Sequence, residues 1–149
     1  MIALLEHNTP NIAAEIYEVF QASYQIEAQL IGTSIFPPLQ RSVSHITQSP
    51  TMFYGAKIDS ALAGVIEIEY GKKQLSINSL TVSPDFFRCG IAGKLMKYVL
   101  TAFEIEHAVV ETASVNMPAI ELYKKHGFVQ FKCWTPSHGI EKVALQRNF

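Results

Sequence analysis

The stretch Leu80-Thr81-Val82-Ser83-Pro84-Asp85-Phe86-Phe87-Arg88-Cys89-Gly90-Ile91-Ala92-Gly93-Lys94-Leu95-Met96 decides the reading of this chain. Its order predicts a strand, a tight glycine-containing turn and the first turns of an amphipathic helix. Such an order leaves unpaired backbone N–H groups at a helix N-terminus, where the macrodipole also favours negative charge. Gly90, Ala92 and Gly93 are small, so a ligand can approach the backbone closely. The segment is therefore expected to seat a pyrophosphate-bearing cofactor. It lacks the G-x-x-x-x-G-K-[ST] loop of a nucleotide-hydrolysing site and the full G-x-G-x-x-G of a dinucleotide fold.

The elements around it narrow the fold. Ile2 to Leu5 reads as a short strand. Thr9-Pro10 is a helix start, with Thr9 as cap and Pro10 at the first helical position. Ile12, Ile16, Val19, Phe20 and Tyr24 then recur at helical spacing. Leu39 to Thr47 reads as a second short helix, ended by Ser49-Pro50. Met52 to Ile58, Leu62 to Tyr70 and Leu75 to Val82 read as three strands joined by short turns, an antiparallel meander. The alternation of the third slips near Asn78-Ser79, which predicts a bulge. Ile91 to Glu104 is an amphipathic helix and Ala108 to Ala113 a strand. Pro118 to His126 is a helix closed by Gly127. Phe128 to Trp134 and Ile140 to Leu145 are two last strands around Pro136-Ser137-His138-Gly139. The whole predicts an α+β chain with a single mixed, mostly antiparallel sheet of six to seven strands and about four helices.

Bulk properties bound the function classes. The 149 residues suit one domain spanning 1–149. Hydrophobic content is 48% and charged content 17%, the balance of a chain that folds. A net charge of −1 argues against a broad nucleic-acid or anionic-membrane surface. No apolar run reaches the roughly 20 residues of a membrane span, and Met1 to Leu5 is a short apolar run that ends at Glu6, without the basic n-region expected of a signal peptide. Cys89 and Cys133 make neither a disulfide framework nor a metal spacing, and the five histidines are scattered. A cytoplasmic protein with reduced thiols, no metal, and no nucleic-acid or membrane partner is expected.

Two motifs at a fixed separation resemble the GNAT superfamily of acyl-CoA-dependent N-acyltransferases. The first family signature, V-x-P-[DE] followed by [QR]-x-x-G-x-[GA], meets Val82-Ser83-Pro84-Asp85 and then Phe87-Arg88-Cys89-Gly90-Ile91-Ala92. The second, N-x-x-A-x-x-L-Y-x-x-x-G-F, meets every fixed position in Asn116-Met117-Pro118-Ala119-Ile120-Glu121-Leu122-Tyr123-Lys124-Lys125-His126-Gly127-Phe128. The resemblance covers most of the chain, from about Met1 to Leu145. It departs at Phe87, where the family usually carries Gln or Arg, so Arg88 or Lys94 is expected to supply the side-chain charge.

The resemblance implies acetyl-CoA as co-substrate and acetyl transfer to an amine by direct attack in a ternary complex. It implies a pyrophosphate seat at Arg88, Cys89, Gly90, Ile91, Ala92, Gly93 and Lys94, and a pantetheine track along the backbone of Leu80, Thr81 and Val82. Tyr123 takes the place of the family's general acid, with Ala119 one helical turn before it. Asn116 is either a cofactor contact or a helix cap. The general base is Glu111, where some protein-acetylating members carry a catalytic Glu, or Glu67, Glu69 or a water chain. Cys89 lacks a partnered histidine and reads as a bystander to the chemistry.

The acceptor pocket is expected from the first two helices and the last hairpin, with Tyr17, Tyr24, Phe36, Pro37, Pro38, Phe53, Tyr54 and Trp134 as candidates. Glu27, Glu67 and Glu69 add charge that suits an amine. A small amine or amino compound is the first expectation for the acceptor. A protein lysine or N-terminus, or a low-turnover acyl-CoA sensor, are the alternatives. Self-association into a homodimer is common in the fold and is not decided by the sequence.

Overall fold

The computed structural model describes residues 1–33 and 35–149. They form strand β1 (Ile2–Leu4), helix α1 (Pro10–Ile31), helix α2 (Val43–Thr47), strands β2 (Met52–Ile58), β3 (Ala61–Gly71) and β4 (Gln74–Val82), helix α3 (Ile91–Ala102), strand β5 (His107–Ala113), helix α4 (Met117–Lys125), and strands β6 (Val129–Trp134) and β7 (Lys142–Asn148). Two short 3₁₀ turns, Pro37–Gln40 and Pro84–Phe86, join them. The seven strands make one sheet in the order β1-β2-β3-β4-β5-β7-β6. Only β4 and β5 run parallel. The α+β expectation and the element order hold.

The meander follows from its loops. Asp59-Ser60 and Lys72-Lys73 are two-residue connections whose residues all sit at positive φ, between 48° and 69°. That geometry matches the right-handed twist of the strands it joins. Burial then covers both faces of β3. Val65 packs with Ala13, Ile16, Phe20 and Phe53 beneath α1 and α2, while Ile66 and Ile68 pack with Leu95, Met96 and Val99 of α3. Each such side chain, once buried, contributes on the order of 1.5–3 kcal/mol. Gly64 lets α3 settle on the sheet: a Cβ there would stand 2.6 Å from Ile91 Cγ2.

Two irregularities shape the centre. Glu67 pairs with Ser79 and Ile68 with Ile77, so Asn78 is the extra residue of a bulge, where the alternation slips in the sequence. The β4–β5 pairing covers only Gln74–Ile77 against His107–Val110. Beyond it the strands part, and the stretches Asn78–Val82 and Glu111–Ala113 flank an open wedge.

The expected single helix over Leu39–Thr47 is instead a 3₁₀ turn and a separate α2. Arg41 interrupts it by turning its guanidinium inward to Glu67, and Ser42 restarts the helix by accepting a hydrogen bond from the His45 N–H at 3.1 Å. Thr9 holds the cap position of α1 without a side-chain cap bond. The last strand runs later than expected, to Asn148, because its pairing with β5 extends to His107.

Candidate active site

The turn after β4 is built from backbone. The N–H of Phe86 donates to Ser83 O at 2.9 Å and that of Phe87 to Pro84 O at 3.2 Å. Arg88 and Gly90 then take left-handed conformations, φ 66° and 74°. Backbone bonding resumes where Lys94 N donates to Gly90 O at 3.1 Å. Among the described residues, the N–H groups from Arg88 to Gly93 therefore carry no backbone acceptor, and they converge on the start of α3. Such a curl of donors is an anion cradle. Its glycine is needed for the positive φ at position 90.

The cradle opens one end of a groove of about 650 Å³, lined by Leu80, Val82, Phe86, Phe87, Arg88, Gly90, Ile91, Ala92 and Gly93. Ile26, Glu27 and Leu30 of α1 face it from one side, and Asn116, Ala119, Leu122, Tyr123 and Lys125 from the other. A second cavity, of about 220 Å³, fills the β4–β5 wedge. Tyr24, Phe36, Pro37, Pro38, Asn78, Ser79, Glu111, Thr112, His138, Ile140 and Lys142 are among its walls. Five residues line both spaces: Glu27, Leu80, Asn116, Ala119 and Tyr123. The groove and the cavity meet at these side chains.

Tyr123 stands at that junction. It is 5% exposed, and its ring lies 6.2 Å from that of Phe128. Burial, and then the Glu27 carboxyl, push its hydroxyl above the ordinary phenol range, so the phenol stays protonated at neutral pH. Burial also raises the Glu27 carboxyl, while the Lys142 ammonium and the Asn116 side chain oppose that rise. Lys142 Nζ donates to Glu111 Oε1 at 2.9 Å. Asn116 caps α4: its Oδ1 accepts from Ala119 N at 3.3 Å, so the cap role is realised in a residue that also lines both spaces. Tyr24 is raised by burial, an effect that a hydrogen bond with Ser79 partly offsets.

Several expected residues lie elsewhere. Glu67 is 3% exposed and its carboxylate is fully engaged. Arg41 approaches both oxygens at 2.5 and 2.9 Å, and the Thr51 and Ser79 hydroxyls donate at 2.7 and 3.1 Å. Burial alone would raise its pKa, but these partners outweigh burial and hold the carboxyl below its ordinary value. It cannot meet an acceptor amine. Glu69 is exposed and accepts from the Asn78 amide at 3.0 Å. Neither lines the cavity, because the Asn78 bulge and β4 stand between.

Phe53 packs in the core under α1, and Tyr54, on the opposite face of β2, stacks with Tyr98 and Phe103. Tyr17 and Trp134 also lie outside the cavity walls, whereas Tyr24, Phe36, Pro37 and Pro38 are among them. Thr81 is buried, its hydroxyl directed at Val65 O. Cys89 is exposed, with its thiol near Phe87 O. The Lys94 side chain is exposed and off the groove wall, where Lys125 stands instead.

Lys142, His138 and Lys125 were not singled out by the sequence reading. Lys142 reaches the cavity because it pairs with Ala113 across β5–β7, and that register is not readable from local pattern.

The chain and its architecture match known proteins. Residues 13–128 match the model of the Acetyltransferase (GNAT) family. The UPF0157 protein YqkA of Bacillus subtilis (strain 168) is 36% identical over 141 residues, 94% of this chain and 41% of that protein. An N-alpha-acetyltransferase of Sulfurisphaera tokodaii (strain DSM 16993 / JCM 10545 / NBRC 100140 / 7) is 30% identical over 106 residues, 60% of this chain and 64% of that one. The chain thus spans less than two thirds of the length of either curated relative. Among solved structures, the ribosomal-protein-S18-alanine N-acetyltransferase from Escherichia coli superposes with a TM-score of 0.77 at 16% identity, covering 99% of this chain and 92% of that one. The PaiA N-acetyltransferase from Thermoplasma acidophilum, in complex with coenzyme A, gives 0.75 at 16% identity over 100% and 99%. At this identity the structural likeness is one of fold, and the family match carries the conclusion: this chain belongs to the Acetyltransferase (GNAT) family.

Proposed function

We propose that this chain transfers the acetyl group of acetyl-CoA to a primary amine by direct attack in a ternary complex, with a small amine or amino compound as acceptor. The observation that carries the proposal is the meeting of groove and cavity at Tyr123. Acetyl-CoA lies in the groove, its pyrophosphate on the N–H groups of Arg88 to Gly93 and its pantetheine along Leu80 to Val82, where β4 has no β5 partner. The acceptor enters the wedge cavity. Its neutral nitrogen attacks the thioester carbonyl, Glu111 takes the nitrogen's proton directly or through water, and the leaving thiolate receives the proton of Tyr123. Burial keeps the phenol protonated until the thiolate forms, while the same shift makes its proton harder to give up.

The cavity volume of about 220 Å³ lies below the range of drug-sized pockets, which supports a compact acceptor. A protein N-terminus is the second reading. The name of the N-alpha-acetyltransferase relative and the position of Glu111 in the cavity wall favour it. Thiol release from acetyl-CoA with a panel of amines and peptides tests both. Turnover is expected with at least one acceptor, and Tyr123→Phe is expected to lower it by about 10²-fold or more. Tight acetyl-CoA binding without thiol release on any acceptor would identify a sensor instead.

A further inference from the structure

The acceptor cavity already contains a primary amine. Lys142 is the one lysine among the described residues lining it, and its side chain is 30% exposed. Its Nζ lies 2.9 Å from Glu111 Oε1, and its charge is felt at Glu27, which lines both cavity and groove. The indole of Trp134, opposite Lys142 across the β6–β7 pair, flanks the ammonium at 5.8 Å. A flexible four-carbon stem thus carries an amine, hydrogen-bonded to a carboxylate, inside the space that opens onto Tyr123.

We propose that Lys142 is a self-acetylation site, an internal acceptor that takes the acetyl group from the chain's own bound acetyl-CoA. The inference rests on the functional reading above, since it uses the same groove, cavity and acid. The Lys142 ammonium gives a proton to water, and the free amine attacks the thioester carbonyl. The C–S bond breaks as the N–C bond forms, the nitrogen loses its second proton to Glu111, Tyr123 protonates the departing thiolate, and the proton on Glu111 returns to Tyr123 through water. The products are an amide on Lys142 and free coenzyme A, with no further reactant. The modified side chain loses its charge, so its ion pair with Glu111 ends and that carboxylate becomes available to an external amine.

Incubating the protein with acetyl-CoA and no added acceptor, followed by peptide mass spectrometry, tests this. Lys142 is expected to be acetylated at least about tenfold faster than the exposed Lys57 and Lys124 in the same sample, because the cavity holds it near the thioester. The advantage should vanish in the heat-unfolded chain and shrink in Tyr123→Phe. Equal rates at Lys142, Lys57 and Lys124 in a preparation that releases thiol with an external amine would overturn self-acetylation and leave the transferase reading standing. Equal rates with no thiol release on any amine would overturn both.

Discussion

Two buried polar side chains, Tyr123 and Glu67, have opposite surroundings. Tyr123 sits where two spaces meet, near the Glu27 carboxyl; Glu67 has every acceptor position filled and lines neither space. The Arg41–Glu67 pair holds the Phe36–Pro38 wall of the cavity to the bulge in β4. Removing one partner of a buried pair leaves an uncompensated charge, so Arg41→Ala should cost about 3 kcal/mol or more in denaturant unfolding, while Arg41→Met with Glu67→Leu should recover most of it. The pair also fixes a pH dependence. The folded-state pKa of Glu67 is below its unfolded value, so its contribution is complete above the ordinary carboxylate range and is lost as pH falls through the folded value. Urea midpoints of wild type and of the double variant should therefore converge on acidification. Midpoints that fall in parallel would contradict the assignment.

At the scale of elements, α3 and the turn before it carry the anion cradle, and their position depends on a close approach at β3. Gly64→Ala would drive a Cβ against Ile91 Cγ2 and Leu95 Cδ1. A destabilisation of about 1–3 kcal/mol is expected, and calorimetric titration should show weaker acetyl-CoA binding, because the helix start moves with Ile91. The Phe87 departure leaves charge to Arg88. Arg88→Ala should weaken acetyl-CoA about threefold to tenfold at low salt and flatten its salt dependence; unchanged affinity at both low and high salt would assign the cradle to backbone alone.

Much of this scale was legible in the sequence. The two-residue turns gave the meander, the broken alternation at Asn78 gave the bulge, and Gly127, at φ 89°, closed the helix that carries Tyr123. The break at Arg41 was not legible, because it depends on a partner 26 residues away.

For the molecule as a whole, the sheet order explains which site assignments could be read and which could not. The motif positions come together across one groove: Leu80 and Val82 on β4, Asn116 at the cap of α4, and Ala119 and Tyr123 on α4. The aromatic candidates for the acceptor pocket divide by strand. Phe53 and Tyr54 belong to β2, with β3 and β4 between them and the wedge, and Trp134 ends the edge strand β6. Aromatic density along a chain carries no information about which strand lies beside the opening. Lys142 was invisible for the same reason, since only the β5–β7 register brings it opposite Ala113. The central claim concerns a junction that no local pattern encodes: a donor groove and an acceptor cavity that share Tyr123. A crystal structure of the complex with coenzyme A tests it most directly. The pyrophosphate is expected on the N–H groups of Arg88 to Gly93, with the thiol sulfur within about 3–4 Å of the Tyr123 hydroxyl and facing the Glu111–Lys142 cavity. Coenzyme A bound with its sulfur outside the β4–β5 wedge, or its pyrophosphate away from the start of α3, would contradict the account.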